Sequence, residues 1–400
     1  MTDANNGLLR RAENSQRATF LELFFDLVFV FALTRISDRL IDVFETGRRL
    51  PFYETYQTLL LFLAIWLIWT ITALVTSRLD PDRPVVQFVV VATMLGALVM
   101  AVAVPHGLHQ RATVFAGAYV TLQLGRSLLL LRPNRQDRTA TIRSIVWFGL
   151  TAVLWLIGAF VPQVSLRVVL WTTAIVTDCV GVMLGWPTPK LGRTPISETA
   201  IAGEHLAERY QQFLLIALGE SILVIGLTFS GANFVADHTS AFLLSFLTTV
   251  LLWRVYFHRA GHVLPTAITS ARHPARLGIS AAFSHLPMLA GIVLTAVGYE
   301  LSIAHPFGDT APAWLVAILG GPTLFLAGRA AFEHQIFARI SRSRLYALVT
   351  LVVLAPALAF VPPLAVSAAA AAVLAAVAGA DILRSRNRPP ERPTPPVRLN

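Results

Sequence analysis

The sequence predicts an all-α, polytopic integral membrane protein of about twelve transmembrane helices, with both termini in the cytoplasm. Composition is the first reason. Of 400 residues, 55% are hydrophobic and only 14% are charged, with a mean hydropathy of +0.65, whereas soluble domains carry about 25% charged residues. The second reason is a series of twelve apolar runs, each near the roughly 20 residues that span a bilayer. The third is the placement of the 32 basic residues, all Arg except Lys190. With the N-terminus inside and spans alternating, 26 of them fall on the inner side and 6 on the outer, the asymmetry that orients membrane helices.

The runs lie at about 19–36, 56–76, 85–105, 112–131, 145–161, 168–186, 206–229, 240–257, 279–300, 313–332, 345–361 and 364–382. The fifth and eleventh are short, and the last is built largely of Ala (Ala368 to Ala372). Residues 1–18 are polar and Arg-containing, with no short apolar core or small-residue cleavage site. They are expected to be a cytoplasmic tail and not a cleaved signal peptide. The transmembrane domain is then 19–382. Residues 383–400, with Pro389, Pro390, Pro393, Pro395 and Pro396 among arginines, read as a disordered, basic, lipid-facing tail. Twelve spans suit two six-helix repeats, 19–186 and 206–382. Helices one and seven would correspond, both running outward in a parallel repeat.

Several function classes are disfavoured. The formal net charge is +10, but the loop distribution accounts for it, so no nucleic-acid partner is expected. One cysteine, Cys179, allows neither an internal disulfide nor a Cys-based zinc site, and its apolar setting reads as a small buried hydrophobe. No Gly-x-x-x-x-Gly-Lys-Ser/Thr and no His-Glu-x-x-His occurs. Lys190 sits in a loop, so no intramembrane lysine is available for a Schiff base. His258 and His262, four apart, have no carboxylate nearby to complete a metal set, and Gly181-x-x-x-Gly185 reads as a helix-packing pattern. No cofactor, metal or catalytic residue is assigned.

The informative residues are polar groups inside apolar runs. In the seventh run, at about 100° per residue and with His205 at zero, Arg209 falls at about +40°, Glu208 at about −60° and Glu220 at about +60°. Gln212 and Gly219 share the stripe, and Leu, Ile, Val and Phe fill most of the rest. Ionisable groups in hydrocarbon normally face a bundle interior or a wet cavity, so the stripe marks a polar interior. In the first run Glu22 and Asp26 are four apart on one face, with Thr19. An embedded Asp costs about 2.5–3.5 kcal/mol on translocon scales and needs a partner, for which Arg209, Arg126 and Arg254 are the candidates. A structural ion pair joining helices one and seven, a cation or proton site, and interface placement all remain open. Glu220 is about 16 Å along the helix from Arg209, near mid-membrane. It is either protonated or bound to a cation or donor; Ser221 follows it, and Gly219 is expected to allow a close backbone approach. Asp178, midway along the sixth run, is the other deep acid.

Two blocks carry a family resemblance. Glu22-Leu-Phe-Phe-Asp26-Leu-Val-Phe-Val, together with His205-x-x-Glu208-Arg209 and Leu218-Gly219-Glu220-Ser221-Ile222, resembles the bacterial low temperature requirement A family, whose hydropathy agrees over about 15–385. The resemblance implies an inner-membrane protein and brings no established molecular activity. By motif, the positions it marks are Glu22, Asp26, His205, Glu208, Arg209, Glu220 and Ser221. The first run alone, Phe24-x-Asp26-x-Val28-Phe29-x-x-Ala32-x-Thr34, is also similar to the Phe-Ser-Asp helix of a potassium-channel family built from six-helix repeats, with Phe25 in place of Ser. The expected function is transport or conduction of an ion or small solute. Glu22, Asp26, Asp178, His205, Glu208, Arg209, Glu220 and Ser221 would line its pathway, and lipids and protons, monovalent cations or a small solute would be its partners. The alternatives are a membrane-embedded enzyme acting on a lipid, with His205 and Glu208 as acid–base pair, and a structural or sensory membrane partner.

Overall fold

The computed structural model describes residues 8–9, 17–46, 51–133, 137–195, 201–232, 234–258, 260–386 and 392–396. Among them are thirteen α-helices and no strand: α1 (Phe20–Thr46), α2 (Phe52–Thr76), α3 (Pro84–Ala103), α4 (Ala112–Leu131), α5 (Arg138–Phe160), α6 (Val164–Leu184), α7 (Gly203–Ser230), α8 (Ala236–Phe257), α9 (Ala260–Ser270), α10 (Pro274–Ala304), α11 (Pro312–Phe337), α12 (Arg342–Leu358) and α13 (Pro363–Ser385). Each of the twelve apolar runs falls on a helix. Ten helices are long and apolar enough to cross a membrane, so the chain is a multi-pass membrane protein. The other two runs fall on α1, interrupted by Glu22, Asp26 and Arg35, and on α12, which has 17 residues.

Helix ends follow local chemistry. Pro opens α3, α10, α11 and α13, where its missing N–H costs nothing and its fixed φ suits the first turn. Gly185, at φ +73°, ends α6 in the left-handed conformation. The pattern Gly181-x-x-x-Gly185 is therefore not a helix–helix seam: Gly185 is a stop, and Gly181 makes room for the Trp186 ring. Arg167 of α6 donates to the carbonyls of Gly158 (2.8 Å) and Val161 (2.6 Å), satisfying the end of α5 across a three-residue turn.

The chain divides into two compact units. The first contains 1–36, 56–209 and 272–279, and the second 37–55, 210–271 and 280–400, so α1, α2, α7 and α10 contribute to both. In the first unit α4 packs on α3 and α5, and α5 on α6. Its aromatic centre brings Trp155 within 4.4 Å of Tyr119 and 4.7 Å of Trp171, ring centre to ring centre. Along its apolar stretch α2 is the most enclosed of the ten candidate spans. In the second unit α13 packs on α8, α11 and α12. There α10 meets α11 through Gly291 and Gly298, set against the α11 backbone, and through Gly321 and Gly328, set against Thr295 and Met288.

Exposed apolar side chains form stripes at three- and four-residue spacing: Phe88, Val91, Leu95 and Val102 on α3, and Leu150, Val153 and Phe160 on α5. Such stripes are lipid-facing surface in a membrane protein. The α1 helix presents Phe20, Phe24, Leu27 and Phe31 outward and buries Glu22, Phe25, Asp26 and Phe29. Its acids point inward, as their position in an apolar run requires.

Three features differ from the sequence reading. The α1 helix continues ten residues past 36, because hydropathy reports lipid burial and not helicity. The α9 helix is additional: its 11 residues, with Pro265 inside, are too short to register as a span. Residues 383–385 complete α13, and Thr394 N–H donates to the Ile336 carbonyl at 2.9 Å; residues 387–391 and 397–400 of the proposed C-terminal tail, and most of 1–18, lie outside the described residues. So does the His262 side chain, and with it the His258–His262 pairing.

Candidate functional site

The first cluster lies where α1, α2 and α7 contribute to the first unit. Thr19 caps α1: its hydroxyl accepts the Glu22 N–H (3.3 Å), and the Glu22 carboxylate accepts the Thr19 N–H (2.9 Å) and hydroxyl (3.0 Å). This is a reciprocal capping box. His205 Nε2 lies 2.9 Å from the same carboxylate. One turn on, Arg209 donates to the Glu22 carbonyl and to Asp26 Oδ1, each at 2.7 Å. Trp69 Nε1 reaches the same Asp26 oxygen at 2.8 Å. The guanidinium also faces the rings of Phe25 (5.6 Å) and Trp69 (5.8 Å). Glu22, Asp26, His205 and Arg209 are all at most 1% exposed. Of the three candidate partners for Asp26, Arg209 is the one engaged; Arg126 is held by Thr72 and Gln123. Glu208 is half-buried and accepts the Ala18 N–H at 2.8 Å. His205 and Glu208, the pair a lipid-directed enzyme would use, are thus each engaged in holding the start of α1.

The second cluster, also in the first unit, surrounds Asp178. Its carboxylate accepts the hydroxyls of Tyr119 (2.8 Å) and Thr151 (2.9 Å). Gln123 Nε2 donates to the Tyr119 oxygen at 3.2 Å, and Gln123 Oε1 accepts from Arg126, whose Nη1 reaches Thr72 at 3.1 Å. A chain of neutral groups therefore connects a buried acid to a buried guanidinium, and each satisfies the next.

Glu220 belongs to the second unit and is different in kind. It is fully buried, and neither carboxyl oxygen has a hydrogen-bond partner among the described residues. Ser37 and Asp38 of α1 lie beside it. Ser221 donates to its own helix at Leu218 (2.8 Å) and stands 3.4 Å from the Thr249 hydroxyl, which is 3.1 Å from Tyr299 Oη. Gly219 makes no close approach: a Cβ there would meet nothing within 4 Å. Glu300 of α10 accepts the Thr228 hydroxyl and has Asp38 and Glu45 as acidic neighbours. Among the described residues no group of three or more His, Cys, Asp or Glu side chains is placed to hold a metal ion.

A family model described as bacterial low temperature requirement A protein (LtrA) matches residues 17–379. The chain belongs to the low temperature requirement A family. An uncharacterized protein of Rhizobium meliloti (strain 1021) is 37% identical over 336 residues, 82% of this chain and 80% of that protein. No solved structure matches.

Of the positions that the family blocks mark, Glu22, Asp26, His205 and Arg209 come together as one hydrogen-bonded group in the first unit, with Glu208 holding the residue before the cap. Glu220 and Ser221 are in the second. Thr19 and Trp69 are the partners that charge-based reading misses. The first was signalled by Thr-x-x-Glu ahead of an apolar run; the second was not, since a tryptophan in an apolar run has no periodic mark.

Proposed function

We propose that this low temperature requirement A family member transports or conducts an ion or small solute across the bacterial cytoplasmic membrane, with Glu220 as the group that takes up and releases a proton or monovalent cation. The observation that carries the reading is a fully buried carboxyl, in the middle of a long apolar helix, with no basic partner among the described residues and the Ser37 hydroxyl beside it. Such a group must hold a proton or exchange it for a cation. Asp38, Glu300 and Glu45 support a cationic species, because acids that neighbour one another towards the ends of α1 and α10 concentrate cations. Asp26 leaves the pathway in this reading and becomes, with Glu22, His205 and Arg209, the lock that fixes α1 to α7. Twelve spans, counting α1 and α12 with the ten apolar helices, and cytoplasmic termini complete the proposal.

The test is flux in proteoliposomes under an imposed potential, with protons, potassium and sodium offered in turn. Wild-type protein is expected to carry one of them and Glu220→Gln, folded normally, none.

A further inference from the structure

At the end of the first unit where α2, α4 and α6 finish and α5, α7 and α10 begin, the structure forms a half-open cavity of about 180 Å³. Its walls are apolar over most of their extent, with Ile71, Leu130, Phe148, Val182 and Ile279 among them, and Arg126 reaches it from α4. Arg126 is 4% exposed, and its two hydrogen-bonded nitrogens meet only neutral acceptors, Thr72 and Gln123. The carboxylate at the rim, Asp137, is taken by Arg78. The other nearby acid, Asp178, is reached through Gln123 and Tyr119. The hydroxyls of Ser127, Thr141 and Ser144 also line the space. The wall formed after α6 is fixed: Trp147 Nε1 donates to the Pro187 carbonyl at 2.9 Å, and Arg143 donates to Leu191 O (3.1 Å) and Thr194 Oγ1 (3.2 Å).

An apolar chamber with one buried guanidinium and a few hydroxyls has the composition of a small-ligand site. A planar guanidinium selects carboxylates by paired, charge-assisted hydrogen bonds. A dry cavity of about 150 Å³ admits benzene, so this one has room for a compact apolar body of similar size. We propose that it binds a small organic carboxylate, with the anionic group on Arg126 and the apolar body between α2, α5 and α6. The site does not depend on Glu220 or on the transport reading.

Benzoate is the probe, titrated calorimetrically into the detergent-purified full chain, with benzyl alcohol and inorganic phosphate as comparators. Wild type is expected to bind benzoate saturably and at least about tenfold more tightly than either comparator. Arg126→Gln should weaken benzoate by about tenfold or more. Because that variant also alters the Asp178 network, Ala140→Phe, which fills the rim and keeps Arg126, provides a second test and should abolish binding. No saturable benzoate binding to wild type, equal binding of benzyl alcohol or of phosphate, or wild-type affinity in both folded variants overturns the proposal.

Discussion

Arg209 is the residue on which the burial of Asp26 depends. It supplies a charge, a 2.7 Å hydrogen bond to that carboxylate and a second to the Glu22 carbonyl, and Trp69 donates to the same Asp26 oxygen. Removing one member of a buried pair leaves the other charge uncompensated and costs about 3–5 kcal/mol. Arg209→Ala is therefore expected to lower the melting temperature sharply in detergent, and Asp26→Asn combined with Arg209→Gln to lower it less than Arg209→Ala alone. An Arg209→Ala protein melting with wild type would show that the pair holds nothing. How much of this was legible differs by residue. The four-residue spacings of Glu22 with Asp26 and of His205 with Arg209 state that each pair shares a face, and desolvation cost states that an acid in such a run needs a partner. Which arginine answers is a matter of tertiary placement, and three were equally eligible. That Glu220 has no basic partner among the described residues was not legible at all, since it depends on what the neighbouring helices fail to offer.

At the scale of elements, the second unit depends on glycine contacts between α10 and α11. A Cβ on Gly291 would lie 2.5 Å from the Phe325 backbone nitrogen, and one on Gly298 would lie 3.0 Å from the Ile318 Cα. Backbone cannot yield as a side-chain tip can. Gly291→Ala is expected to destabilise by about 1–3 kcal/mol through overpacking, read as a lower melting temperature and loss of the monodisperse peak in size exclusion. Gly117→Ala on α4, where a Cβ meets nothing within 4 Å, should be neutral or mildly stabilising; equal losses in both variants would contradict the packing account. Helix positions were the most legible part of the fold, because runs of about 20 apolar residues have few alternatives in a chain this poor in charge. The exceptions are α9, with 11 residues too short to register as a span, and the extension of α1 through Asp38, Asp42 and Glu45, too acidic to read as apolar, and hydropathy is blind to both.

At the scale of the whole molecule, the 26-to-6 distribution of basic residues makes a prediction about sidedness. In a Cys179→Ser background, Gln110→Cys between α3 and α4 should react with an impermeant thiol reagent in intact cells. Asp82→Cys, between α2 and α3, should react only after permeabilisation. The reverse pattern would invert the topology. Glu220 is proposed to carry an ion through a protein whose other buried charges serve as locks and networks. The most direct measurement is proton, potassium and sodium flux into liposomes containing wild type, Glu220→Gln or Glu220→Asp, each verified as folded. Flux of one ion is expected in wild type, a reduced rate in Glu220→Asp and none in Glu220→Gln. Wild-type flux in Glu220→Gln, or no flux of any of the three ions through wild type, would contradict this role for Glu220.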